Sequence, residues 1–279
     1  MALPRVARKL FGRRIVLGAA LTLAAVLLVA LAVGTLTDLD PNQTAVSQRL
    51  HAPSPAHWLG TDELGRDLFA RIAFGARYSL TIAALTALGA VAAGTLLGAV
   101  AGFFPRLDGQ LMRLVEAMMS FPDILLAIAL VGILGPSMFN VVAALVLVYT
   151  PRVARVVRAS TLVVRELAFV EAARALGAPT SRILWRHVLP NLVSPITVQG
   201  TFIFAYAILA EAALSFLGVG VPPEVPTWGT MVAGSQQYAH QALWIVLFPG
   251  LAIIATALSL QLLGDGIRDL LDPRLRGTM

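Results

Sequence analysis

Few residues in this chain are equipped for chemistry, and their spacing limits what they can do. There is no cysteine, which removes thiolate nucleophiles, disulfides and Cys-ligated metals. The single lysine is Lys9, so the Gly-x-x-x-x-Gly-Lys phosphate loop is absent, and with it a nucleotide site of that kind. No His-Glu-x-x-His occurs, and no acid–base constellation stands out, so enzyme activity in this chain is not expected. His51 and His57 have no clustered ligands around them; they read as loop residues, and no metal site is expected. Glu211 sits alone in a long apolar run. A carboxylate there costs about 2.5–3.5 kcal/mol on insertion scales, so it must face protein or a water-filled path. Two roles stay open for it: meeting a substrate amine or shaping a gate, or hydrogen-bonding between helices. Glu116 and Asp123 flank Pro122 near the end of another apolar run, where pairing with Arg113 or with arginines of the neighbouring loop is the expected structural role.

The elements that must hold these groups are set by composition. The chain is 58% hydrophobic and 13% charged, with mean hydropathy +0.81, which places it among polytopic membrane proteins. Its 279 residues suit about six helices at roughly 20 residues per span. Apolar runs predict spans over about 15–36, 80–103, 114–134, 140–157, 193–217 and 243–263. The first follows Arg5, Arg8, Lys9, Arg13 and Arg14; it is too long for a signal-peptide core and lacks a convincing cleavage site. In the second, Gly94, Gly98 and Gly102 share one helix face, a pattern that permits close helix packing. Pro105-Arg106-Leu107-Asp108-Gly109 reads as a short turn, and Pro122 should break or kink the third span.

The net charge of +6 looks like a nucleic-acid signal only until the basic residues are placed. Five precede the first span, Arg106 and Arg113 bracket the first internal loop, seven arginines fall between the fourth and fifth spans, and three lie in the tail. Four others, Arg49, Arg66, Arg71 and Arg77, fall on the opposite side. The positive-inside rule then predicts six spans with both termini cytoplasmic, lipid as the surrounding medium and no nucleic-acid partner. The resulting organisation is an N-terminus and first helix (1–36), an external loop with an amphipathic segment (37–79), and a five-helix core (80–279).

Within that core, one stretch between two spans combines helix-forming residues, a hinge and a stop. Glu171-Ala172-Ala173-Arg174-Ala175-Leu176 has high helix propensity, and its alanines leave a flat surface. Gly177 suits a sharp turn after a short helix, because it takes a positive φ without steric cost. Ala178 and Pro179 lead into a second segment carrying Arg182, where proline's missing N–H costs nothing in a first turn. His187-Val188-Leu189-Pro190-Asn191 should end that segment and re-aim the chain. A short helix–turn–helix across the membrane face is expected.

This stretch resembles the EAA loop of ABC importer permeases, whose pattern is Glu-Ala-Ala, three residues, Gly, nine residues, Ile-x-Leu-Pro. Glu171, Ala172, Ala173, Gly177, Leu189 and Pro190 match at that spacing; His187 stands in place of Ile, as in the peptide-type branch. A second stretch, Leu59-Gly60-Thr61-Asp62-Glu63-Leu64-Gly65-Arg66-Asp67, resembles the segment before the second span in C-type permeases of dipeptide, oligopeptide and nickel importers. Read locally, Thr61 and Asp62 are candidate helix caps, while Gly65, Arg66 and Asp67 form a tight turn with a local charge pair. The surroundings of Glu211 and the Gly264–Asp269 tail are similar to the same branch.

The resemblance implies an all-α permease of the type I importer fold, with residues 166–190 as the coupling loop seated in a separate ATPase. It further implies a homologous second permease, two ATPase subunits that hold ATP and magnesium, an external substrate-binding protein, and the bacterial inner membrane as location. The implied cargo is a di- or oligopeptide, with nickel or another small solute as the alternative. A proton-coupled carrier would need more ionisable groups at depth than Glu211 and an internal repeat, neither of which the sequence offers. A scaffold would leave the coupling-loop spacing accidental.

Overall fold

The computed structural model describes residues 14–36 and 40–271. The basic residues Arg5, Arg8, Lys9 and Arg13 and the tail residues Asp272, Pro273, Arg274, Leu275 and Arg276 lie outside the described residues. Ten helices make up the described fold, with no β-strand among them: α1 Arg14–Leu36, α2 Leu68–Phe103, α3 Pro105–Met119, α4 Asp123–Leu134, α5 Met138–Val164, α6 Ala168–Ala175, α7 Thr180–Ile183, α8 Val193–Phe216, α9 Trp228–Ser235 and α10 Trp244–Leu271. Five helical stretches are long and apolar enough to cross a membrane, and a sixth is reached only if α3 and α4 count as one bent span.

The α2–α5 contact is the largest between any two helices, and glycine makes it. At Gly94 an added Cβ would lie 2.5 Å from Val153 Cβ, and at Gly102 it would lie 2.6 Å from Thr161 Cβ. The two backbones therefore meet along the Gly94–Gly98–Gly102 face that the sequence marks out. Around this seam pack α8 and α10, with α1 at the periphery against α10 and α2. The core is largely Ala, Val, Ile and Leu, with Trp228 its largest fully buried side chain.

Three sequence expectations are corrected, and the break expected at Pro122 holds. The second helix begins at Leu68 rather than near residue 80, because the amphipathic stretch is its own first three turns; Asp67 caps it by accepting from Ala70 N at 2.9 Å. Residues 105–109 are not a turn. They open the amphipathic helix α3, with Pro105 in its first turn, and Asp108 is held bidentately by Arg158 at 2.5 and 2.6 Å. As expected, the third span breaks at Pro122: α3 and α4 meet there at 89°. Its 12-residue arm is about 18 Å long, well short of a bilayer core. Finally, α10 does not end near residue 263 but runs on through Gly264-Asp265-Gly266-Ile267-Arg268-Asp269. Gly264 lets that extension lie against Thr201, whose Oγ1 would be 2.5 Å from an added Cβ.

Candidate functional site

The two motifs read from the sequence lie at opposite ends of α5. That helix starts just after Pro136, which lines a cavity beside the Asp62 segment, and ends just before the Glu171 segment. Its 27 residues separate them by about 40 Å.

At the far end, the helix–turn–helix expectation holds in its first half. Ala168–Ala175 is helical, with Glu171 in the first turn, where a carboxylate suits the positive helix end. Gly177 takes φ +74°, and two bonds close the helix behind it: Gly177 N–H to Arg174 O and Ala178 N–H to Ala173 O, both 3.0 Å. That is a Schellman stop, which requires a residue able to turn left-handed at Gly177. The second half differs. After Pro179, α7 with Arg182 passes through a π-helical turn (Leu184–Val188) and a 3-10 turn (Leu189–Leu192) directly into α8. Pro190 sits in the first turn of the 3-10 segment, where no helical bond is lost, so it does not re-aim the chain. Val170, Ile183, Val188 and Leu192 are buried and tether the segment, and Phe169 packs against the His187 ring at 6.3 Å between centroids.

What this segment leaves outward is distinctive. Glu171, Ala172, Arg174, Ala175, Gly177, Arg182 and Arg186 are exposed; Ala173, Ala178, His187 and Leu189 are half-buried. Leu176 and Trp185 are 88% and 71% exposed. Large apolar side chains beside arginines and flat alanines form a surface suited to another protein.

At the near end, the local charge pair is not Arg66 with Asp67. Arg66 instead bridges Asp62 (Nε to Oδ2, 2.6 Å) and Glu63 (NH2 to Oε1, 2.9 Å). Asp67, besides capping α2, holds the His57 ring at 2.7 Å, while the other ring nitrogen meets Gln48 Oε1 at 2.8 Å. Neither Thr61 nor Asp62 caps a helix. Thr61 Oγ1 accepts from His51 N and donates to Gln48 O, and its carbonyl accepts from Trp244 Nε1. Asp62 accepts from Leu64 N and Arg66 N, both at 2.9 Å, folding the loop onto itself. Gly60 and Gly65 take φ +81° and +74° at its two bends. Sequence reading missed Arg71, which is 2% exposed, 3.5 Å from Asp62 Oδ2, and also bonded to Pro41 O and Asn42 Oδ1. Its place one turn into α2 was the available signal, since an arginine that near a helix start has only the preceding loop to neutralise it.

Glu211 makes hydrogen bonds of the kind its second reading describes. It is 1% exposed and accepts at Oε1 from Ser215 Oγ (2.9 Å) and Thr227 Oγ1 (2.8 Å), tying α8 to the cap of α9. Helix α9 was missed because its eight residues hide in a proline-bearing loop; Thr227 and Thr230 form the capping box that starts it. Trp228 then reaches α2, its backbone N–H to Ser79 Oγ and its ring N–H to Ile72 O. Ser215 and the Asp62–Arg71 network face a shared cavity of about 610 Å³, closed on its other side by Gly218, Val221, Glu224 and Met231.

Asp123 and Arg152 pair at 2.7 Å, as expected for an acid near the arginine-rich stretch. Arg152 and Arg155 lie within the span expected over 140–157, and Arg158 also belongs to α5, which runs on to Val164.

The fold and these two ends define an all-helical, multi-pass membrane component of a solute importer. Residues 86–277 match the model of the family described as binding-protein-dependent transport system inner membrane component. This chain belongs to that family. It is 47% identical over 270 residues to a putative peptide transport system permease protein of Brucella suis, covering 97% of this chain and 91% of the relative. It is 44% identical to a dipeptide transport system permease protein of Alkalihalophilus pseudofirmus, covering 90% and 83%. A glutathione transport system permease protein of Pectobacterium atrosepticum is 45% identical, covering 80% and 75%. The fold is similar to a chain of the inward-facing MetNI methionine ABC transporter, with TM-score 0.60 at 17% identity, covering 72% of this chain and 97% of that one.

Proposed function

We propose that the chain is one of two permease subunits of an ATP-driven importer of di- and oligopeptides in the bacterial inner membrane. The observation that carries this reading is the exposed Glu171–Arg186 surface, rigidly closed by the Gly177 stop and continuous through α7 with the spanning helix α8. A push on such a surface moves a membrane helix, whereas a floppy loop would absorb it. The peptide cargo is supported by the printed names of the relatives.

In this reading Glu171, Ala172, Ala173, Gly177, Ala178, Arg182, His187, Leu189 and Pro190 belong to the contact with a cytoplasmic ATPase subunit. Both termini are cytoplasmic, and the Gly60–Asp67 loop and the cavity beside it face the external binding protein. ATP and magnesium are held by two ATPase subunits, and a homologous permease completes the pathway. Their closure shifts α6 and α7, tilts α8, and switches the pathway between inward-facing and outward-facing forms. Reversing a population from 1:99 to 99:1 takes about 5.5 kcal/mol, so the contact transmits a sizeable load. The test is ATP-dependent uptake of labelled peptides, with nickel in parallel, into proteoliposomes holding the complex and its binding protein. Glu171→Ala and Gly177→Val are expected to abolish peptide uptake with membrane insertion intact. Normal uptake by either variant sinks the coupling assignment; nickel uptake with peptides excluded sinks the cargo.

A further inference from the structure

A second charged group lies far from both motifs. Arg152 is about 21 Å along α5 from Met138 and about 18 Å from Val164, which puts it near the middle of that helix and inside the span expected over 140–157. Its guanidinium donates through NH2 to Asp123 Oδ2 at 2.7 Å, and the two side chains are 36% and 43% exposed. Asp123 begins α4, the short arm beyond the 89° bend, so the bend delivers a carboxylate to this level. Two aromatic rings flank the pair: Arg152 Cζ is 5.2 Å from the Tyr206 ring centroid and 5.8 Å from that of Tyr149. Tyr206 is itself 39% exposed.

The exposure is what makes the pair informative. A structural ion pair in a membrane protein is buried among helices, because lipid solvates neither partner. This one is open along one side, so that side faces a water-filled path or another protein. Arginine offers five donors in a planar fork, more than its one bond to Asp123 uses, and the remaining edge suits a second carboxylate. Asp123 retains acceptor capacity for an ammonium, and the exposed Tyr206 ring offers a cation a π face. Acid, base and aromatic face within one small area match a ligand that carries both charges a few ångströms apart.

We infer that Asp123, Arg152 and Tyr206 form a transient binding station inside the translocation path for zwitterionic dipeptides, with Arg152 taking the C-terminal carboxylate and Asp123 the N-terminal ammonium. This rests on the proposed peptide cargo. Weak, exposed pairing is what passage requires, because a deep, fully satisfied site would hold the ligand.

The assembled complex with its binding protein, in proteoliposomes, decides it. Peptide carried per ATP hydrolysed is measured for Arg152→Gln, Asp123→Asn, Tyr206→Leu and the charge swap Asp123→Arg/Arg152→Asp, each first shown to assemble. The two charge-removing variants are expected to carry at least tenfold less peptide per ATP, and Tyr206→Leu several-fold less. The swap is expected to stay as low, because it reverses the order of acid and base along the path. Single variants within twofold of wild type overturn the inference. So does recovery in the swap, which would make the pair a brace between α4 and α5 or toward the second permease. A wild-type complex that carries no peptide sinks the cargo assignment and the station together; wild-type peptide uptake with unaffected variants sinks the station alone.

Discussion

Replacing Gly98 by alanine sets two opposite expectations against each other. In a helix interior, Gly→Ala stabilises by about 0.5–1 kcal/mol, because glycine loses more backbone freedom on folding. At Gly98 the new Cβ would overlap Ala154 O and lie 2.8 Å from Val157 Cβ and 2.9 Å from Arg158 N. Two of those three neighbours are backbone atoms of α5, so no rotamer change clears the space. The helices must separate instead by several tenths of an ångström. Overpacking of this kind costs about 1–3 kcal/mol. The net expectation is a loss of about 1–2 kcal/mol. Gly109, in α3 with nothing within 4 Å of an added Cβ, is the internal control, and there alanine should stabilise by about 0.5–1 kcal/mol. Because one shift of α5 relieves both sites, Gly94→Ala/Gly98→Ala should cost less than the sum of its singles. Denaturation by SDS titration in mixed micelles reads all four variants. A Gly98→Ala protein stabilised as much as Gly109→Ala would refute the close-packed seam.

Two further substitutions test the polar end. Asp62→Ala removes the carboxylate facing both Arg66 and the buried Arg71, and breaking one side of a buried ion network costs about 3–5 kcal/mol. Glu63→Ala removes one bond to Arg66 but leaves Asp62 on both arginines, so it should cost less than Asp62→Ala, and equal losses in the same SDS titration would refute the network. Glu211→Ala leaves the Thr227 and Ser215 hydroxyls without their acceptor and should cost about 1–3 kcal/mol, with protease access to the α8–α9 loop rising. Glu211→Gln keeps a carbonyl at the same reach and should lose less; a larger loss than in the alanine variant would refute the latch.

The features legible in the sequence were those set by local rules. Apolar run length gave α1 and α8 almost to the residue, and glycine spacing gave the packing face of α2, though not its partner α5. Gly177 announced its own turn, because a left-handed residue after an alanine-rich helix has few other uses. The errors share a cause as well. Polarity was taken to end three helices too early, yet Arg71 and Arg77 lie within α2, Arg158 within α5, and Asp265 and Arg268 within α10. Each of these helices overruns its apolar stretch, because a spanning helix carries its hydrogen bonds internally and continues until a proline, a cap or a neighbour stops it. Charge therefore does not mark helix ends. Arg152 shows what such a helix can carry: inside α5 beside Asp123 it is one half of a half-open ion pair, which a membrane protein retains only where water or a partner can reach it.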